Sequence, residues 1–187
     1  MTFLKQENEH NLHNLSVVDL TLEDIPDFLS LQAKVSDIQR HKGRLNYFKE
    51  RQWEDLTHHL EARMPLLGVR SPHGDLLAQC LIAYPDNPKA INLQAYPLRQ
   101  PEHTAVLQSF LALPGSKSGE QTNVLLDYAK KIVADENRNL IVIQINAANK
   151  GVIRNMCHRN GFKIYDHGFE PQLKQDVVYM EYNLLPD

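Results

Sequence analysis

Between Thr104 and Phe162 the sequence reads strand, turn, helix, strand, helix, and no other stretch limits the fold as much. The first strand is TAVLQSFLAL, closed by Pro114-Gly115. The turn is Gly115-Ser116-Lys117-Ser118-Gly119, a size that suits a phosphate. Val124, Leu125, Tyr128, Ala129, Ile132 and Val133 then fall on one stripe of a helix. NLIVIQIN is a near-continuous apolar run, as expected of a strand covered on both faces. A second short helix carries Val152, Ile153, Met156 and Cys157 and stops at Gly161-Phe162. The unit predicts a ligand of nucleotide type.

The flanking segments add antiparallel strands and two more helices. Residues 1–13 lack periodicity and read as a flexible tail, with one domain over 14–187. Leu15–Leu20 reads as a strand. Thr21-Leu22-Glu23-Asp24 has the form of a capping box, Pro26 fits the first turn, and the helix is expected to reach about Val35. A loop lies around Lys42-Gly43. The next helix places Trp53, Leu56, Leu60 and Met64 on its buried stripe and ends at Pro65. Leu66–Arg70 and Leu76–Tyr84 form a hairpin around Ser71-Pro72-His73-Gly74-Asp75. Residues 85–103 hold Pro85, Pro88, Pro97 and Pro101 and read as a loop or a hairpin extension, with Ala90–Ala95 a short strand. Phe162–Phe169 and Val177–Leu184 both alternate and read as the last two strands.

Composition narrows the function class. A formal net charge of -3 gives no reason to expect DNA or RNA binding. No apolar run approaches the roughly 18–20 residues of a membrane helix. The polar N-terminus has no signal-peptide core, and the two cysteines, Cys80 and Cys157, make no disulfide framework. A cytoplasmic protein is expected. The nine histidines show no ligand spacing: His58 and His59 are adjacent and diverge on a helix, so no metal is expected.

The turn after Pro114 has two readings. Ser118 as N-cap with Gln121 at N3 makes a reciprocal cap, and Gly119 lets backbone approach a diphosphate held at the positive helix end. Lys117 adds charge, whereas Glu120 opposes phosphate unless it points away. The plain alternative is a capped helix that binds nothing.

This order of elements, with Leu111-Ala112-Leu113-Pro114, the loop Lys117–Thr122, and Asn149 ahead of Gly161-Phe162, resembles the GNAT superfamily of acyl-CoA-dependent N-acetyltransferases over about residues 15–184. The resemblance implies an α/β (α+β) fold: a mixed, mostly antiparallel twisted sheet of about seven strands with about four helices. It implies acetyl-CoA as co-substrate and a small-molecule or protein amine as acceptor. It is compatible with a homodimer. Lys117 takes the first basic place of the family's pyrophosphate loop. Ser118, Glu120 and Thr122 take its glycine places in one register; shifted by one, Gly119 is the first glycine and Glu120-Gln121 follow it. Leu111, Ala112 and Leu113 lie where a backbone N–H supports the thioester carbonyl.

Acyl transfer needs a neutral amine, and a free lysine amine is only on the order of one part in 10³ neutral at pH 7. The family often has a strand glutamate as base; here Gln108 and Ser109 stand in that strand, either holding a water that carries the proton away or facing solvent. Where the family often has an acidic tyrosine, this chain has Cys157, either a proton donor to the leaving thiolate or a small core residue. Tyr165 is the second candidate acid. Asn149 either binds the pantetheine arm, caps its helix, or does both. Acceptor specificity is expected from Ser36–Tyr47 and from residues 85–103. Arg40, His41, Lys42 and Arg44 make the first of these loops basic, which fits either a solvated surface or a carboxylate-bearing acceptor. Two functions follow: an N-acyltransferase, or a catalytically degenerate binding or regulatory protein on the same fold.

Overall fold

A computed structural model describes residues 15–43, 48–90, 93, 96–115 and 118–185; the side chain of Ser118 is outside this description. The expected tail, residues 1–13, and most of the expected strand Ala90–Ala95 lie outside it as well. Among these residues, seven strands form one sheet: β1 (Ser16–Asp19), β2 (Leu66–Arg70), β3 (Leu76–Ala83), β4 (Thr104–Ala112), β5 (Leu140–Asn146), β6 (Lys163–Glu170) and β7 (Gln175–Asn183). Their spatial order is β1-β2-β3-β4-β5-β7-β6. Only β4 and β5 are parallel; every other neighbouring pair is antiparallel. Four α-helices cover the sheet: α1 (Ile25–His41), α2 (Trp53–Glu61), α3 (Ser118–Asp135) and α4 (Lys150–Asn160).

Strand alternation divides the core between the two faces. Ala78, Cys80 and Ile82 of β3, with Ile141, Ile143 and Ile145 of β5, pack with Leu125, Leu126, Ala129 and Val133 of α3. Leu66, Leu76 and Leu81 pack on the other face with Ile25, Phe28, Leu31 and Val35 of α1 and Leu56 of α2. Val142 is also buried, so β5 is covered on both sides as its apolar run requires.

Several expectations are corrected by which face each helix buries. The first helix runs past Val35 to His41 because its inner face continues with polar residues, Ser36 and Gln39, which an apolar pattern cannot reveal. Trp53 opens α2 and is 46% exposed; Leu56 is buried as expected, and His59 is buried with it. Leu126 replaces Val124 at the centre of the α3 stripe. Helix α3 already includes Ser118, so Gln121 sits one position beyond the expected N3, a shift of the size common at helix ends. The strand expected to run to Leu113 ends at Ala112.

Two details lead to measurable outcomes. Gly161 ends α4 at φ 75°, and the Phe162 N–H donates to the Met156 carbonyl at 3.0 Å. A Cβ there would lie 3.2 Å from Tyr182 Cε2. Gly161→Ala should therefore lower unfolding free energy by about 1–2 kcal/mol in urea titration. His59 is fully buried, and its Nε2–H donates to the Pro65 carbonyl at 3.0 Å. Burial pushes its pKa down from 6.5 to about 4, with the nearby Arg51 charge adding to the effect. The folded state thus favours neutral His59, while the unfolded chain takes up its proton near pH 6.5. The stabilisation is complete above pH 6.5 and is lost as pH falls toward 4, by an amount on the order of 3 kcal/mol. His59→Gln should flatten that part of the pH dependence of the urea midpoint.

Candidate active site

The site is made by a strand that parts from its neighbour. The β4–β5 ladder runs from Thr104↔Leu140 to Leu107↔Ile143 and stops, although both strands continue. On the other edge of β4, Leu81 pairs with Gln108 and Gln79 with Leu111, so β4 spends one extra residue in that interval. This is a β-bulge. Ser109 sits within it at φ 48°, the left-handed region, unusual for a non-glycine residue inside a strand. The side-chain alternation changes accordingly. Ala105 and Leu107 face α3 before the bulge; Phe110 and Ala112 do so after it. The β5-facing edge of β4 therefore has no ladder partner from Ser109 to Ala112.

A cleft of about 810 Å³ occupies this gap. Its walls belong to both faces of the sheet. On the α3 and α4 face, Gly119, Thr122, Asn123, Asn149, Gly151 and Asn155 line it. These residues sit at or near the N-terminal ends of α3 and α4, and none is acidic. A Cβ built on Gly119 or Gly151 would meet nothing within 4 Å. Two helix N-termini thus present backbone N–H groups and positive partial charge to the cleft, the arrangement that suits a diphosphate. Glu120 is exposed and does not line the cleft.

On the opposite face the lining includes Gln39, Phe48, Lys49 and Arg51 from the α1–α2 region, Tyr96 from the 85–103 segment, and Gln108 and Gln144 from the sheet. Arg51 is 4% exposed. Its Nη2 donates to Gln108 Oε1 at 2.6 Å and its Nε to Ser109 Oγ at 3.3 Å. Gln32 of α1 holds the Arg51 backbone from both sides: Nε2 donates to the Arg51 carbonyl at 3.0 Å, and Oε1 accepts from the Arg51 N–H at 2.9 Å. The polar inner face of α1 is therefore a clamp on this segment, extended by Ser36 Oγ bonding Glu50 Oε1. The Tyr96 ring meets Tyr179 edge-on at 5.8 Å, and its hydroxyl shares a hydrogen bond with Gln108. Burial raises the Tyr96 pKa well above the usual phenol value.

Of the residues singled out in the sequence, the fold brings Gln108, Ser109, Leu111, Ala112, Gly119, Thr122 and Asn149 to the cleft. Gln108 is buried and bonded to Arg51, so it does not face solvent. Asn149 occupies the N-cap position of α4 without a side-chain cap hydrogen bond. Leu113 lies outside the lining; its N–H donates to the Leu77 carbonyl at 2.8 Å. Gln121 is half-buried and also outside it. Lys117 and the Ser118 side chain are not among the described residues. Cys157 packs against the core on the α3 face, and Tyr165 stacks near Tyr179 under the Arg99 guanidinium; neither lines the cleft. Arg51, Tyr96 and Glu170 do line it and carry no sequence motif. Only the polar positions on α1 hinted that something polar is buried beneath that helix.

Of the expected basic loop, Arg40 pairs with Asp37 at 3.0 Å and Glu50 at 3.4 Å. Arg44 lies outside the described residues. Among those residues, no group of three or more His, Cys, Asp or Glu could hold a metal, and no helix is long and apolar enough to cross a membrane.

No protein-family model and no curated protein matches the chain. Solved structures do. An N-acetyltransferase from Staphylococcus aureus Mu50 superposes with a TM-score of 0.67 at 14% identity, over 92% of this chain and 99% of that one. A ribosomal-protein-alanine N-acetyltransferase from Brucella melitensis gives 0.66 at 14% identity, over 90% and 99%. YncA of Salmonella typhimurium, solved with its cofactor acetyl-CoA, gives 0.64 at 12% identity, over 92% and 95%. Strand order, the parted β4 and β5, and these superpositions together give the protein the fold of the GNAT N-acetyltransferases.

Proposed function

We propose that this protein is an N-acyltransferase that moves an acetyl group from acetyl-CoA to a primary amine by direct attack in a ternary complex. The observation that carries this reading is the cleft through the sheet where β4 leaves β5, with two helix N-termini on one face and a polar cluster on the other. The acetyl-CoA in the YncA structure supports the same use of this fold. The backbone N–H of Gly119 at the opening of α3, with Thr122 and Asn123 beside it, would hold the diphosphate. Asn149 would meet the pantetheine arm. The thioester would lie along Leu111 and Ala112, with the carbonyl oxygen taking an N–H from the open edge of β4, an interaction commonly worth about 3–4 kcal/mol to the transition state.

The acceptor enters from the α1–α2 face, where Arg51, Tyr96 and Gln108 stand. The amine lone pair attacks the thioester carbonyl carbon, the C–S bond breaks, and the CoA thiolate leaves with the electron pair. The amine gives up one proton. Glu170, the one carboxylate among the described lining residues, is the group in the cleft able to accept it. Cys157 and Tyr165 receive no role, because neither reaches the cleft.

One observation favours a binding or regulatory protein instead: the β4 lining has no acid, only Gln108 and Ser109. Free-thiol release from acetyl-CoA across an amine panel decides between the two. Acceleration by at least one amine is the enzyme's result; amine-independent hydrolysis alone is the binder's.

Acetyl-CoA at about 100 times its Kd should stabilise the protein by about 2.7 kcal/mol, which for a chain of this size raises Tm by roughly 5–10 °C. Gly119→Asp adds a carboxylate in open space at the anion-binding helix end, where it suits the helix dipole. The variant should keep its own Tm and lose most of the acetyl-CoA shift. Glu170→Gln should keep that shift and lower kcat by about 10²-fold.

A further inference from the structure

Arg51 is a buried charge whose hydrogen-bond partners are neutral, with the Asp55 carboxylate acting on it only through space. Its side-chain partners are the Gln108 amide oxygen and the Ser109 hydroxyl, and its backbone partner is the Gln32 amide. Among the described residues no carboxylate forms an ion pair with it. Nη1 is buried and has no hydrogen-bond partner. A guanidinium stays charged when buried, and leaving one of its donor groups unsatisfied away from water is costly. A protein that only needed to fill this space would do better with an apolar residue of the same volume.

The position is also held firmly. Gln32 fixes the backbone from both sides, and the two β4 partners fix the fork. One of those partners is Ser109, whose strained backbone defines the bulge where the thioester would lie. Arg51 thus lines the cleft at the parting of β4 and β5, on the acceptor's face of the sheet, with Nη1 itself buried.

We infer that Arg51 is the carboxylate-recognition residue of the acceptor site, and that the acceptor is an amine of amino-acid size bearing its own carboxylate. This rests on the acyltransferase reading above. The carboxylate brings a directly bonded counter-charge to the guanidinium and sets its amine near β4. Lys49, in the same lining, adds to the positive field around that group. The guanidinium fork matches a carboxylate in a way that a lysine ammonium does not.

The test uses the common L-amino acids, β-alanine and γ-aminobutyrate, each beside its carboxamide. Binding to the CoA-loaded protein is read by calorimetry, and turnover by thiol release from acetyl-CoA. The expected result is at least one acid that binds and reacts ten- to a hundredfold better than its own amide. Arg51→Gln should erase that preference, mainly through KM, and leave the acetyl-CoA thermal shift intact; Arg51→Lys should restore only part of it. The proposal is overturned if wild-type protein treats every acid and amide alike, if no acid binds, or if the preference survives in Arg51→Gln. It is equally overturned if succinyl-CoA replaces acetyl-CoA with a preference that Arg51→Gln removes, since the anion would then sit on the acyl group. Loss of the acetyl-CoA shift in the wild type would instead defeat the acyltransferase reading, and acid-over-amide binding, dependent on Arg51, would still be read separately.

Discussion

The structure depends on a hydrogen-bond ladder that stops early. Parallel strands normally hold each other along their shared length, yet β4 and β5 pair only as far as Leu107 and Ile143. The cause is local. One extra residue in β4, with Ser109 at φ 48°, turns the strand and shifts its side-chain alternation by one. A non-glycine residue in that region costs about 1–2 kcal/mol. The bond from Arg51 Nε to Ser109 Oγ helps hold the bulge, and antiparallel pairing to β3 resumes beyond it at Leu111. The result is backbone polar edge facing a cleft rather than a neighbour, which a closed sheet would not offer.

The two faces of the sheet then do different work. The α3 and α4 face is apolar in its core and ends in helix N-termini, whose aligned peptide dipoles supply partial positive charge. The α1 and α2 face carries a formal charge, Arg51, within a neutral polar cluster. The inner side of α1 shows how this is arranged. Its first half is apolar, Ile25, Phe28, Leu31 and Val35, and packs on the sheet. Gln32, Ser36 and Gln39 are buried on the same helix and serve the segment that delivers Arg51. One helix is thus both a core element and the support of the site.

The legibility of the sequence varies by residue in a physically intelligible way. The β5 run, the hairpin at Ser71–Asp75, the Gly161 stop and the alternation of β6 and β7 were readable because each rests on near-neighbour chemistry: periodicity, turn residues, or a positive φ. Trp53 misled because a large apolar side chain at the opening of a helix need not face inward. The inner half of α1 was truncated at Val35 because its remaining buried residues are polar. Gln108 and Ser109 were found by their place in β4, but their partner Arg51 is 57 and 58 positions away and stands in no motif. Cys157 and Tyr165 were reached through family resemblance at positions that do not line the cleft.

The sequence by itself determined the order of elements, the two helix N-termini beside the central strands, and the glycines that leave them open. These follow from local rules that act over a few residues. Tertiary structure alone decided where β4 leaves β5, which wall of the cleft is charged, and that Arg51 faces it. Those outcomes depend on pairing register and on contacts between distant segments. A buried guanidinium acquires its meaning only from what surrounds it in space.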